Sequence, residues 1–143
     1  MAWVRCCGSG LPSVVYPIDL LTYLTWDLDP RSTQYVDAYQ TKYWTSTTKT
    51  PKLKPGLTLS ANLCSYGRSS SIYSYIEVSE DGVTWTQVAE NTGPAGQLVT
   101  ASLNSYVGKQ LFIRVKVYHP GPAGYGTSIA AIYPSATGVF QIS

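Results

Sequence analysis

His119 is the only histidine in the chain, set at the end of the alternating segment "LFIRVKVYH" and followed by Pro120. A Ser-His-Asp arrangement would have to use it, and no G-x-S-x-G elbow exists to present a serine beside it. The plainer reading is a strand-end residue at a loop mouth. Paired carboxylates that hydrolyse glycosides would have to come from Asp19, Asp27, Asp29, Asp37, Glu77, Glu80, Asp81 and Glu90. Most of these sit beside turns or on outward strand positions, where acids are solvated. The expectation is a protein that is not an enzyme.

Two metal chemistries can be weighed. In "WDLDPRSTQYVD", Asp27 and Asp29 lie close together before a turn and Asp37 follows ten residues after Asp27. Hard oxygen ligands in such a loop suit a structural calcium, although EF-hand spacing is missing and a solvated acidic loop is the competing reading. Zinc needs four ligands at short spacing, which His119 cannot complete. Cys6, Cys7 and Cys64 are odd in number, two of them adjacent, and do not make a disulfide framework. Free thiols are expected, with a bridge from Cys6 or Cys7 to Cys64 as the alternative. No other cofactor is expected.

Aromatic residues offer a third kind of chemistry. The chain has twelve Tyr and four Trp against two Phe, a bias toward rings with a polar tip that suit half-exposed surfaces. A flat ring packs on the C–H face of a pyranose while neighbouring polar groups read its hydroxyls. Two clusters fit. In "YVDAYQTKYW", Tyr35, Tyr39 and Tyr43 alternate with polar residues and would share one face if the segment were extended. In "YHPGPAGYG", Tyr118, His119 and Tyr125 bracket a glycine-rich tip, and loops at sandwich ends are common binding positions. The bland alternative is that tyrosine is a good strand former on a partly wetted sheet.

The elements that must carry these residues read as strands between turn clusters. "LTLSANLCSYG" puts Leu57, Leu59, Ala61 and Leu63 on one face, and "LFIRVKVYH" does so with Leu111, Ile113, Val115 and Val117, leaving Phe112, Arg114, Lys116 and Tyr118 on the other. Both show the period of a half-buried strand. "SYIEVSEDGVTWTQVAE" reads as a hairpin turning at Asp81-Gly82, because both positions tolerate positive φ. "PIDLLTYLTWDLD" has some helical spacing, but Thr, Tyr and Trp together with flanking prolines favour strand or irregular structure. Eight or nine short strands with Gly/Pro-rich turns predict an all-β, single-domain antiparallel sandwich of jelly-roll type. Residues 1–10 read as an N-terminal arm and 11–143 as the sandwich.

A net charge of +2 with dispersed basic residues argues against nucleic acid, whose partners show a basic stripe. No apolar run approaches the length of a bilayer span, and the N-terminus does not resemble a signal peptide. Cytoplasmic synthesis without membrane insertion is expected.

The segment "YIEVSEDGVTWTQVAE", followed by "SYVGKQLFIRVKVYH", resembles the galactose-binding-like jelly rolls, which include discoidin-type domains and carbohydrate-binding modules. Ser79, Asp81, Gly82, Thr84 and Trp85 occupy their "S-x-D-G-x-T-W" turn, and the likeness covers residues 57 to 118. It is one residue short of the sialidase-type Asp box, and one imperfect copy does not imply a propeller. The resemblance implies that Trp85 packs across the sandwich. The opening "MAWV" with its glycine-bearing arm looks like small phage or prophage tail-associated proteins. Two functions follow as expectations. The first is a lectin-like module binding a glycan or cell-surface polysaccharide through aromatic residues at the sandwich rim, in host recognition for instance. The second is a virion or assembly protein that forms a homo-oligomer or contacts other chains through its tyrosine-rich face.

Overall fold

The computed structural model describes residues 14–32, 34–66, 72–92, 96–122, 128–132 and 139–143. Short strands with alternating burial dominate, and their apolar faces require a partner layer. The chain supplies one by folding into two sheets packed face to face, an all-β, mostly antiparallel sandwich of jelly-roll character. In chain order the elements are β1 (Ile18–Asp19), α1 (Leu20–Tyr23), β2 (Gln34–Val36), β3 (Thr41–Thr45), β4 (Thr58–Tyr66) and β5 (Tyr73–Ser79). Then come β6 (Thr86–Asn91), β7 (Gln97–Ser102), a 3-10 turn (Asn104–Tyr106), β8 (Phe112–Tyr118), β9 (Ser128–Ile132) and β10 (Phe140–Ile142).

One sheet has four strands in the order β3-β8-β5-β6, and the other has six, organised on the long β4. β7 runs along one edge of β4, pairing Leu59 with Ala101 and Leu63 with Gln97. β10 and then β9 share the opposite edge, pairing Ile142 with Leu59 and Ile132 with Leu63. β1 continues outward from β10, and β2 from β9.

Both alternating segments face as the sequence predicts. Leu57, Leu59, Ala61 and Leu63 from one sheet, and Leu111, Ile113, Val115 and Val117 from the other, are all buried in one core. Trp44 of β3 and Ile76 of β5 lie among them, fully enclosed. Each such Leu, Ile or Val side chain contributes about 1.5–3 kcal/mol when removed from water. Several polar groups in the interior have identified partners, as buried groups require. The hydroxyls of Ser46 and Thr50 accept the backbone N–H groups of Ile113 and Leu111. Asn91 of β6 donates from Nδ2 to the Leu63 carbonyl, tying the two sheets together at 3.0 Å.

Two local expectations are corrected. The segment after Pro17 is a two-residue strand followed by a single helical turn, not strand or irregular chain throughout. Asp19 is the N-cap, its carboxylate accepting the Leu21 N–H at 3.0 Å, which satisfies a donor the turn would leave open. At the β5–β6 connection only Gly82 has positive φ, so Asp81 is not there for backbone freedom. Its Oδ1 instead gathers the Val83 and Thr84 N–H groups and the Ser79 hydroxyl, at 2.8, 2.9 and 3.0 Å. The arm at 1–10 lies outside the described residues, as do the Cys6 and Cys7 positions and the side chain of Cys64.

Candidate functional site: an aromatic sheet face

The outward residues of the four-stranded sheet line up in rows fixed by strand register. Thr41, Tyr118 and Tyr73 are neighbours across β3, β8 and β5. The next row is Tyr43, Lys116, Tyr75 and, on β6, Glu90; the third is Thr45, Arg114, Glu77 and Gln87. These positions alternate with the buried Trp44, Val115, Val117 and Ile76, so the pleat itself turns them away from the core. The result is a broad face bearing four tyrosines, with Trp85 leaning on it from the hairpin.

This face has two unlike halves. In one, Arg114 is clamped. Its guanidinium lies 4.4 Å from the Tyr43 ring centroid and 4.2 Å from that of Trp85, and it pairs with the Glu77 carboxylate at 2.7 Å. The side chains of Arg114 and Glu77 are only 20% and 11% exposed. Arg114 thus stacks against two rings while its charge is neutralised, an arrangement suited to its planar fork. Trp85 therefore packs on the outer face through Arg114 rather than across the sandwich, a correction to the resemblance-based expectation.

The other half is a tyrosine cluster. Tyr73 lies 6.4 Å from Tyr75 in an edge-on arrangement and 6.4 Å from Tyr118 at a tilt of 51°. These are ordinary geometries for attractive aromatic pairs. All three rings are partly exposed. The Lys116 ammonium stands 5.5 Å from the Tyr75 centroid. Burial, with the nearby Glu90 carboxylate and the Tyr73 and Tyr118 hydroxyls, raises the Tyr75 pKa, so its phenol stays a neutral donor and acceptor at physiological pH.

The sequence-predicted residues divide. Tyr43 and Tyr118 both belong to this face. Tyr39 and His119 meet at the loop end beyond the Tyr73–Tyr118 row: the Tyr39 N–H donates to the His119 carbonyl at 2.7 Å, and the His119 N–H to the Gln40 carbonyl at 3.0 Å. The His119 imidazole is fully buried, its Nδ1 accepting the Gly121 N–H at 3.0 Å, so it is a loop fastener rather than a ligand-facing group. The Tyr39 ring lies over Gly121, where a Cβ would fall 2.4 Å from the ring.

Tyr35 goes elsewhere. It sits on β2, outward on the six-stranded sheet and 64% exposed. The expectation that Tyr35, Tyr39 and Tyr43 share one extended face is therefore wrong. The turn at 37–40, closed by Gln40 N–H to Asp37 carbonyl at 3.0 Å, passes the chain from one sheet to the other. Tyr125 lies outside the described residues.

The three proposed calcium ligands are not gathered either. Asp27 Oδ1 accepts the Thr45 N–H, Asp29 Oδ1 accepts the Arg31 N–H, and the Asp37 N–H is held by the Gln40 side chain. Among the described residues, no group of three or more His, Cys, Asp or Glu is placed to hold a metal ion. No helix among them is long and apolar enough to cross a membrane.

Sequence reasoning missed Tyr73, Tyr75 and the clamp. The alternation of "YSYIEVS" was the available signal, since it puts both tyrosines on the face opposite Ile76.

No protein-family model matches the chain, and no curated protein does. Among solved structures the chain is similar to TmCBM61, determined in complex with β-1,4-galactotriose. That likeness has 13% identity and a TM-score of 0.46, and covers 78% of this chain and 68% of the other.

Proposed function

We propose that the protein is a non-catalytic carbohydrate-binding module whose ligand lies across the outer face of the four-stranded sheet. The observation that carries this reading is the cluster of Tyr73, Tyr75 and Tyr118. Three partly exposed rings gather along two adjacent strands, Tyr75 and Tyr118 each 6.4 Å from Tyr73, on a face whose opposite side already holds the core. Rings there stack on sugar faces, their hydroxyls and Lys116 hydrogen-bond to sugar hydroxyls, and the Arg114 clamp keeps Tyr43 and Trp85 fixed alongside. Because the rings are preordered, little side-chain entropy is lost on binding. A single shallow site of this kind binds weakly, and repeated units of a polysaccharide or repeated copies of the module raise the avidity.

The test is retardation of the protein in gels containing soluble polysaccharides, followed by calorimetry on any that bind. Retardation by at least one polysaccharide, abolished by Tyr118→Ala and by Tyr75→Ala, supports the reading. Retardation by none, together with a stable oligomer in light scattering that those same substitutions dissociate, would replace it with a protein–protein contact face in an assembly.

A further inference from the structure

We infer that the ligand of this face carries an anionic group, placing it among acidic polysaccharides of the uronate type; the inference rests on the sugar-platform reading above. The charges on the face are unequally matched. Arg114 is neutralised by Glu77 at 2.7 Å. Lys116, one row away in the centre of the face, has no carboxylate within ion-pairing distance among the described residues. Its cross-strand neighbours are Tyr43 and Tyr75, and Tyr118 follows two residues on along the same face. An ammonium 5.5 Å from the Tyr75 ring centroid, on a half-buried side chain with no paired carboxylate, is a ready partner for an anion.

The acid nearest in that row is Glu90, on the far side of Tyr75, where its carboxylate accepts the Gln87 amide at 3.3 Å. The face is therefore polar along the row, positive at Lys116 and negative beyond Tyr75 at the β6 edge. A sugar carboxylate beside Lys116, over the Tyr73–Tyr118 pair, meets the cation and stays clear of Glu90. The opposite placement would set carboxylate against carboxylate. The same geometry rejects a polymer whose acids crowd the β6 edge.

The experiment compares polygalacturonate with its fully methyl-esterified form, in which each carboxylate is replaced by a neutral methyl ester on the same backbone. Wild-type protein is expected to bind the acid about three- to five-fold more tightly at low salt, the range for a partly exposed ion pair, with the ratio falling toward one as salt is raised. Lys116→Met should collapse the ratio, Lys116→Arg should keep it, and Lys52→Met, an exposed cation in a remote loop, should leave it unchanged. Equal or weaker binding of the acid by wild type, or a preference that survives Lys116→Met, overturns the inference while leaving the platform standing. Failure to bind either polymer or any neutral polysaccharide overturns both.

Discussion

The two outer faces of this sandwich solve the same problem with different residues. On the six-stranded sheet, Thr58, Ser60 and Asn62 of β4 face outward beside Thr100 and Ser102 of β7 and Gln141 of β10. Among the described side chains, small hydroxyls and amides suffice to wet that surface, and the large exposed ones are scattered, such as Leu98 and Tyr35. On the four-stranded sheet the equivalent positions carry Tyr43, Tyr73, Tyr75 and Tyr118, with Arg114, Lys116 and Glu77 between them. Both sheets contribute their inner faces to the one core. Folding therefore does not require aromatic side chains on an outer face, and their concentration on one side points to a use outside folding.

Within the aromatic face a second contrast operates. The Arg114–Glu77 pair is largely shielded from water and bound to its rings, whereas the Tyr73, Tyr75 and Tyr118 cluster is open. The largest expected effect comes from breaking the clamp. Glu77→Ala leaves the Arg114 charge half-buried and unpaired, which should cost about 3 kcal/mol of stability, read as a lowered urea midpoint with the slope unchanged. A loss under about 0.5 kcal/mol would mean that Arg114 swings into solvent and that the clamp is not structural.

Next in size are the open rings. Tyr75→Ala and Tyr118→Ala should each weaken polysaccharide binding by tenfold or more, about 1.4 kcal/mol, while melting temperature falls by only a few degrees. A stability loss as large as that of Glu77→Ala would place these rings with the scaffold and erase the contrast between the halves.

The hairpin should show a smaller, pH-dependent effect. The Thr84 and Val83 backbone N–H groups, with the Ser79 hydroxyl, hold the Asp81 carboxyl below its ordinary value. A carboxyl whose folded pKa is depressed contributes stability above its unfolded pKa and loses that contribution as pH falls through the folded value. Asp81→Asn should thus be less stable than wild type at neutral pH, with the gap closing as the solution is acidified below about pH 4. A gap that is constant with pH would mean the carboxylate is not recognised by its charge. The smallest effects belong to the polar face: Tyr35→Ala and Leu98→Ser should alter stability by no more than about 0.5 kcal/mol and leave glycan binding untouched.

Much of this was legible in the sequence, and what was not has a physical cause. The inward sets Leu57/Leu59/Ala61/Leu63 and Leu111/Ile113/Val115/Val117 follow from period-2 alternation, which is local. Which tyrosines become neighbours depends on register between distant strands, and so Tyr73 and Tyr75 could not be matched to Tyr118 from their spacing. The misassignment of Tyr35 has a more specific source. Tyr39 takes φ of 66°, a left-handed conformation usually left to glycine or asparagine, and this turn moves the chain between sheets without announcing itself in the residue types. The helical turn at Leu20–Tyr23 is too short to show periodicity, although Asp19 ahead of two leucines was a usable capping signal. The resemblance of its turn to the jelly-roll pattern implies a place for Trp85 across the sandwich. Its true partner, Arg114, lies two strands away.

The central claim is that the ligand meets the four-stranded sheet and not the six-stranded one. Backbone amide NMR during titration with a bound polysaccharide tests it most directly. Shifts confined to β3, β5 and β8 around Tyr43, Tyr73, Tyr75 and Tyr118, with β4 and β7 unmoved, are expected. Shifts centred on Ser60, Asn62 and Thr100, or spread over both sheets alike, would contradict it.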